Sequence, residues 1–123
     1  MSAMTNLSET ADITDLTSLR DALRAFAAAR QWQPFHTPKN LSMALIKETA
    51  EIVEHFQWAT PEESLALTPE KKAAVAEEIA DVLMYLVQLA DVLAIDPLTA
   101  ARVKIVKNVE KYPATEPVLQ DQS

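Results

Sequence analysis

Residues 69–94, PEKKAAVAEEIADVLMYLVQLADVLA, decide the fold. Val75, Ile79, Val82, Leu86, Leu89 and Leu93 recur every three or four residues, the period of an α-helix, so they are expected to form its core stripe. Apolar residues flank that stripe so generously that this helix should be the central one of its domain. Two carboxylates interrupt it: Glu78 and Asp81 fall along one flank, with Tyr85 a turn further on.

Working outward, residues 41–58, LSMALIKETAEIVEHFQW, repeat the pattern. Leu41, Ala44, Leu45, Ile52, His55 and Phe56 make one stripe, with Glu48 projecting from its middle and Glu51 at its edge. The helix starts are written in the sequence as Thr37-Pro38, Thr60-Pro61, Thr68-Pro69 and Asp96-Pro97. Each joins an N-cap side chain to the residue favoured at the first helical position. Glu63, three after Thr60, completes a capping box. Leu19, Leu23, Phe26 and Ala27 mark a further helix that stops before Pro34. Helices are therefore predicted near 16–31, 38–57, 69–94 and 97–111, with a short one near 61–67. No segment reads as a strand, so the fold class is all-α: a four-helix bundle-type protomer plus one short helix. Residues 1–15 and 114–123 lack periodicity and read as flexible tails around one domain at 16–113.

Composition narrows the functions. With 123 residues and 49% hydrophobic content the chain suits one domain with a core. Eleven basic against 18 acidic residues give a net charge of −7, which argues against binding a nucleic-acid backbone. Absence of cysteine removes disulfides, thiolate metal sites and cysteine nucleophiles. Absence of glycine removes the glycine-rich loops that cradle phosphates, so phosphate would have to be handled by side chains and metal. No signal-peptide pattern or membrane-length apolar run is present, and the expectation is a cytoplasmic protein without a membrane partner. Ser42 and Ser64 have no His and acid in a triad-like arrangement.

Four carboxylates at or beside core positions need positive charge, because an unpartnered buried ion costs several kcal/mol. Neither stripe carries a Lys or Arg on its buried face; protonation and a divalent cation remain. Mg²⁺ or Mn²⁺ suits an all-oxygen set best. Zinc would want His or Cys, and only His36 and His55 exist. The Glu-x-x-His pairs of di-iron bundles are missing, since Glu54 and Met84 stand where the histidines would be. Acid pairs at this spacing also occur on solvated or interface faces, and that plainer reading stands beside the metal site. On the last predicted helix Lys104, Lys107, Asn108 and Lys111 share a sector opposite Leu98, Ala101, Ile105 and Val109. These lysines either form an ordinary solvated basic face or receive a polyphosphate. Trp32, Phe35, His36 and Trp58 lie at helix ends, where they close the bundle or stack on a base.

The segments RQWQPFHTPKNL, ALIKETAEIVEHFQW, AEEIADVLMYLVQLA and KIVKNVEKYP, within about residues 20–113, resemble the MazG-like all-α nucleoside triphosphate pyrophosphohydrolases, in particular their compact dCTP pyrophosphatase branch. The family's E-E-x-x-E and E-x-x-D pattern appears as Lys47 to Glu51 followed by Glu78 to Asp81. Lys47 replaces the first acid, at a position that is often not acidic in that branch. The resemblance implies a hydrolase, dependent on Mg²⁺ (or Mn²⁺), that splits a nucleoside triphosphate such as dCTP into monophosphate and pyrophosphate and clears unwanted nucleotides. It implies Glu48, Glu51, Glu78 and Asp81 as metal ligands, with Glu48 or Glu51 orienting or deprotonating water. It also implies Lys104, Asn108, Lys111 and Tyr112 as phosphate or sugar contacts, and Trp32, His36, Asn40, Trp58 and Tyr85 as the base pocket. A homodimer or homotetramer sharing its pocket between chains is implied too. Two other readings stay open: a helical interaction protein without chemistry, and a carboxylate-bridged di-metal bundle.

Overall fold

The computed structural model describes residues 10–115, so most of the tails expected at 1–15 and 114–123, namely 1–9 and 116–123, lies outside the described residues. Five helices follow one another: α1 (Leu16–Ala29), α2 (Pro38–Phe56), α3 (Pro61–Ser64), α4 (Pro69–Val92) and α5 (Pro97–Lys111), with a single 3-10 turn at Gln33–Phe35 between α1 and α2. There is no strand among the described residues, and no helix in this range is long and apolar enough to cross a membrane.

The starts follow from side-chain capping. Thr37, Thr60, Thr68 and Asp96 each accept a hydrogen bond from a backbone N–H of the first turn, with proline just inside the helix. Thr60 and Glu63 form the expected capping box, although α3 is shorter than expected and ends at Ser64. At α1 the cap is Asp15, and Ser18 completes a second reciprocal box.

The ends of α1 and α4 solve a problem that the absence of glycine creates. Gln31 and Ala94 take φ of 57° and 55°, the left-handed conformation that glycine usually supplies just past a helix. In both cases paired backbone bonds close the end. Trp32 N donates to Ala27 O and Gln31 N to Ala28 O; Ile95 N donates to Ala90 O and Ala94 N to Asp91 O. This is the Schellman pattern, and it swings Trp32 back across the end of α1.

α4 packs chiefly on α2 and secondarily on α1. The α2 stripe holds as expected: Leu41 is 2% exposed, and Ala44, Leu45, Ile52, His55 and Phe56 are half-buried. The α4 stripe does not hold as a unit. Val75 is buried and Val82 and Leu89 are half-buried, but Ile79, Leu86 and Leu93 are about half exposed. The face turned towards α1 and α2 instead includes Glu78, Asp81, Tyr85 and buried Val87. The reason is width: the apolar arc of α4 exceeds what two neighbours of the same chain cover. Nor does α5 bury its apolar sector. It has no buried residue, and Leu98, Ile105 and Val109 are exposed with its lysines. Among the described residues the buried hydrophobic positions number four, Ala27, Leu41, Val75 and Val87. Arg24 ties α1 to α4 through a two-point pair with Asp91, Nη2 to Oδ1 at 2.6 Å and Nε to Oδ2 at 2.8 Å.

Candidate functional site

The four acids predicted from two separate helices converge where α2 crosses α4. One carboxylate oxygen from each of Glu48, Glu78 and Asp81 lies within 4.8 Å of the other two. Glu51 joins them, its carboxyl within hydrogen-bonding reach of both Glu48 and Glu78. The spacing explains the convergence: residues three apart on an α-helix project from neighbouring points of one face, so two such pairs meet across a helix crossing.

The electrostatics record an unbalanced site. Glu48 Oε2 and Glu78 Oε2 are buried and accept no hydrogen bond. None of the four acids is ion-paired with Lys or Arg among the described residues. Burial, then the hydrogen bond and charge of Glu51, pushes the Glu48 carboxyl above its usual range. Glu78 is pushed up to about 7, first by its hydrogen bond to Glu51, then by burial and by the charges of Glu51, Glu48 and Asp81. Glu51 itself is held below the usual range by hydrogen bonds from Glu78 and Glu48. Without an external cation, Glu51 favours its ionised form while Glu48 and Glu78 on either side of it hold their protons more firmly than ordinary carboxyls. Four oxygen donors of this kind suit a hard divalent cation, whose charge would replace those protons.

Beside the cluster a mostly apolar cavity of about 390 Å³ opens between α1 and α4, with Asp81 on its wall. Three of the five residues expected to hold a base, Trp32, His36 and Tyr85, are among those that line it. Trp32 stands edge-on to Phe26 at 5.7 Å and to His36 at 6.4 Å between ring centroids. Phe26 is covered in turn by the Arg30 guanidinium at 3.5 Å. The other two proposed base residues lie elsewhere. Asn40 Nδ2 donates to Phe35 O and so fastens the 3-10 turn that precedes His36. Trp58, beyond the end of α2, is 89% exposed and does not line the cavity.

Lys104, Asn108, Lys111 and Tyr112 are exposed on and just beyond α5; none lines this cavity, and Lys111 Nζ lies 5.3 Å from the Tyr112 ring centre. Sequence reasoning missed Ile13, Met84 and Gln88, which also line the cavity. Helical spacing does mark Gln88, which stands three residues after Tyr85 and seven after Asp81 on one helical face. It does not mark Ile13, which lies in a stretch without periodicity.

Known proteins share this arrangement of helices. A crystal structure of a pyrophosphatase from Archaeoglobus fulgidus DSM 4304 superposes with a TM-score of 0.76 at 44% identity, covering 80% of this chain and 93% of that one. The dCTP pyrophosphatase 1 of Homo sapiens is 42% identical over 101 residues, and that of Bos taurus 41% over 100. Each match takes in 80% of this chain, which spans 59% of the length of these relatives. Residues 44–119, more than half of the sequence and including all four acids, match the MazG-like family, and the chain belongs to that family.

Proposed function

We propose that this chain is a nucleoside triphosphate pyrophosphohydrolase that converts a deoxynucleotide of the dCTP type to its monophosphate and pyrophosphate, using Mg²⁺ or Mn²⁺. The observation that carries this reading is the pair of orphaned carboxylate oxygens, Glu48 Oε2 and Glu78 Oε2, in an acid cluster that shares Asp81 with an aromatic-walled cavity. The names of the relatives, dCTP pyrophosphatase 1 and a pyrophosphatase, support the same chemistry.

Glu48, Glu51, Glu78 and Asp81 would hold the cation. Once bound, it supplies the positive charge that draws in phosphate oxygens and acidifies water at the site. Glu51, held below the usual carboxylate range by its neighbours, would orient the attacking water and accept its proton. Trp32, His36 and Tyr85 would hold the base, while Asn40 keeps the turn before His36 in place.

Lys104, Asn108, Lys111 and Tyr112 would contact the triphosphate or sugar from a second copy of the chain. Two facts support a homodimer or homotetramer: α5 buries nothing within its own chain, and the apolar sector of α4 at Ile79, Leu83 and Leu86 is left uncovered. Trp58, free of its own chain's cavity, would reach a neighbouring copy's base in the same assembly.

The test is incubation of the purified chain with individual dNTPs and Mg²⁺, with monophosphate and pyrophosphate measured together. Both products should form in equal amounts, and Glu51→Gln or Asp81→Asn should reduce their formation by about 10²-fold or more with the helical spectrum intact. Release of orthophosphate, or unchanged turnover by both variants, would remove the reading.

A further inference from the structure

The cavity beside the acids contains one polar side chain whose orientation is fixed by chemistry alone. Gln88 Nε2 donates to Met84 O at 3.1 Å, one turn back along α4. A carbonyl can only accept, so the amide nitrogen of Gln88 must face Met84, and the alternative flipped amide is excluded. Its Oε1 receives no hydrogen bond from any described residue and stands as a fixed acceptor on a part-buried residue of the cavity wall. The surroundings make that acceptor count, because Leu23, Phe26 and Met84 give the same wall an apolar character that weakens competition from water.

Its position along the helix matters equally. Asp81, Tyr85 and Gln88 succeed one another on one face of α4, and the seven residues from Asp81 to Gln88 span about 10 Å of helix axis. That separation suits a nucleotide whose phosphate is held at the acids and whose base lies along Tyr85 with its far edge at Gln88.

We infer that Gln88 is a specificity-determining residue: its Oε1 accepts a hydrogen bond from the exocyclic amino group of a cytosine-type base and opposes the oxo group that uracil or thymine presents at the same place. The inference rests on the nucleotide reading of this cavity and goes beyond it by naming the atom that selects the base. Cytosine N4 is a donor where the corresponding uracil and thymine oxygen is an acceptor, so one fixed acceptor discriminates by attraction and by repulsion together.

Calorimetric titration of the full chain with dCMP and with dUMP tests it, because the two ligands share sugar and phosphate. Wild type should bind dCMP the more tightly. Gln88→Met, which keeps length and removes the acceptor, should weaken dCMP by about 10-fold and, by relieving the repulsion, leave dUMP no weaker than in wild type. Gln88→Glu retains an acceptor and should keep the dCMP preference. Melting curves establish that both variants are folded. Equal affinity of wild type for the two ligands, or an equal loss of both in Gln88→Met, would overturn the assignment. If the dCMP preference depends on Gln88 but no triphosphate is cleaved to pyrophosphate, base recognition stands and the proposed catalysis falls.

Discussion

Glu78 titrates near neutrality because the Glu51 carboxyl, burial and the surrounding acids all favour its protonated form, and this couples the fold to pH in a definite direction. A carboxyl raised in the folded state to about 7 from an ordinary 4.5 contributes stability that is complete below pH 4.5 and lost as pH rises through 7. The metal-free protein should therefore melt at falling temperatures as pH is raised from about 5 to 8 in EDTA. Saturating Mg²⁺ should flatten that slope, since the cation takes over the role of the protons and stabilises the native state by mass action. Gln in place of Glu78 should flatten the EDTA slope as well; an EDTA slope of opposite sign in wild type would contradict the electrostatics of the cluster. All four acids were legible in the sequence because helical spacing alone places each pair on one face. The unequal burdens within the cluster were not, since they depend on which oxygens are shut off from solvent. Trp58 shows the same limit: its residue type suits a base pocket, but only the fold reveals that it is exposed and lines no part of its own chain's cavity beside the acids.

At the scale of the elements, helix starts were readable and so, within about two residues, were the ends of α1, α2, α4 and α5; what was not readable is how the ends of α1 and α4 close. A Thr-Pro or Asp-Pro pair specifies a start through a side-chain acceptor and a fixed φ, both local properties. The ends of α1 and α4 rely on left-handed Gln31 and Ala94, residues that carry no signal for that conformation. A Cβ in that region is disfavoured, so Ala94→Gly should raise unfolding stability by ~0.5–1 kcal/mol in denaturant melts, the relief of strain exceeding glycine's extra chain entropy. Ala94→Val should lower it. The tie between α1 and α4 was equally hidden, because Arg24 and Asp91 are 67 residues apart. Arg24 holds the Asp91 carboxyl below its usual range, so the pair's stabilisation is present above the ordinary aspartate pKa and is lost as pH falls through the depressed value. Asp91→Asn should lower the melting temperature at pH 7, and the difference from wild type should shrink in high salt and at acid pH.

For the whole molecule, the difference between the expected and observed core of α4 bears on whether the proposed site draws on a second copy of the chain. Hydrophobic periodicity reports that Ile79, Leu86 and Leu93 belong to an apolar face, without reporting whether the covering surface comes from the same chain. Within one chain that face stays open, α5 buries nothing, and the lysine-bearing sector of α5 supplies no wall to the cavity beside the acids. A second copy satisfies all three facts at once, since an isologous interface can cover the exposed arc of α4 while bringing one chain's Lys104 to the other chain's Asp81. This arrangement has a quantitative signature. Asp81→Asn and Lys104→Ala should each be inactive alone, but when co-refolded in equal amounts they should recover roughly a quarter of wild-type activity. Half of randomly formed dimers are then mixed, and each mixed dimer keeps one of two composite sites intact. Sites built from a single chain would recover nothing, because every site would still lack one of the two groups. Sedimentation of the same samples should show dimers, and Ile79→Glu, by placing charge on the apolar arc, should shift the protein towards monomer and abolish the recovery.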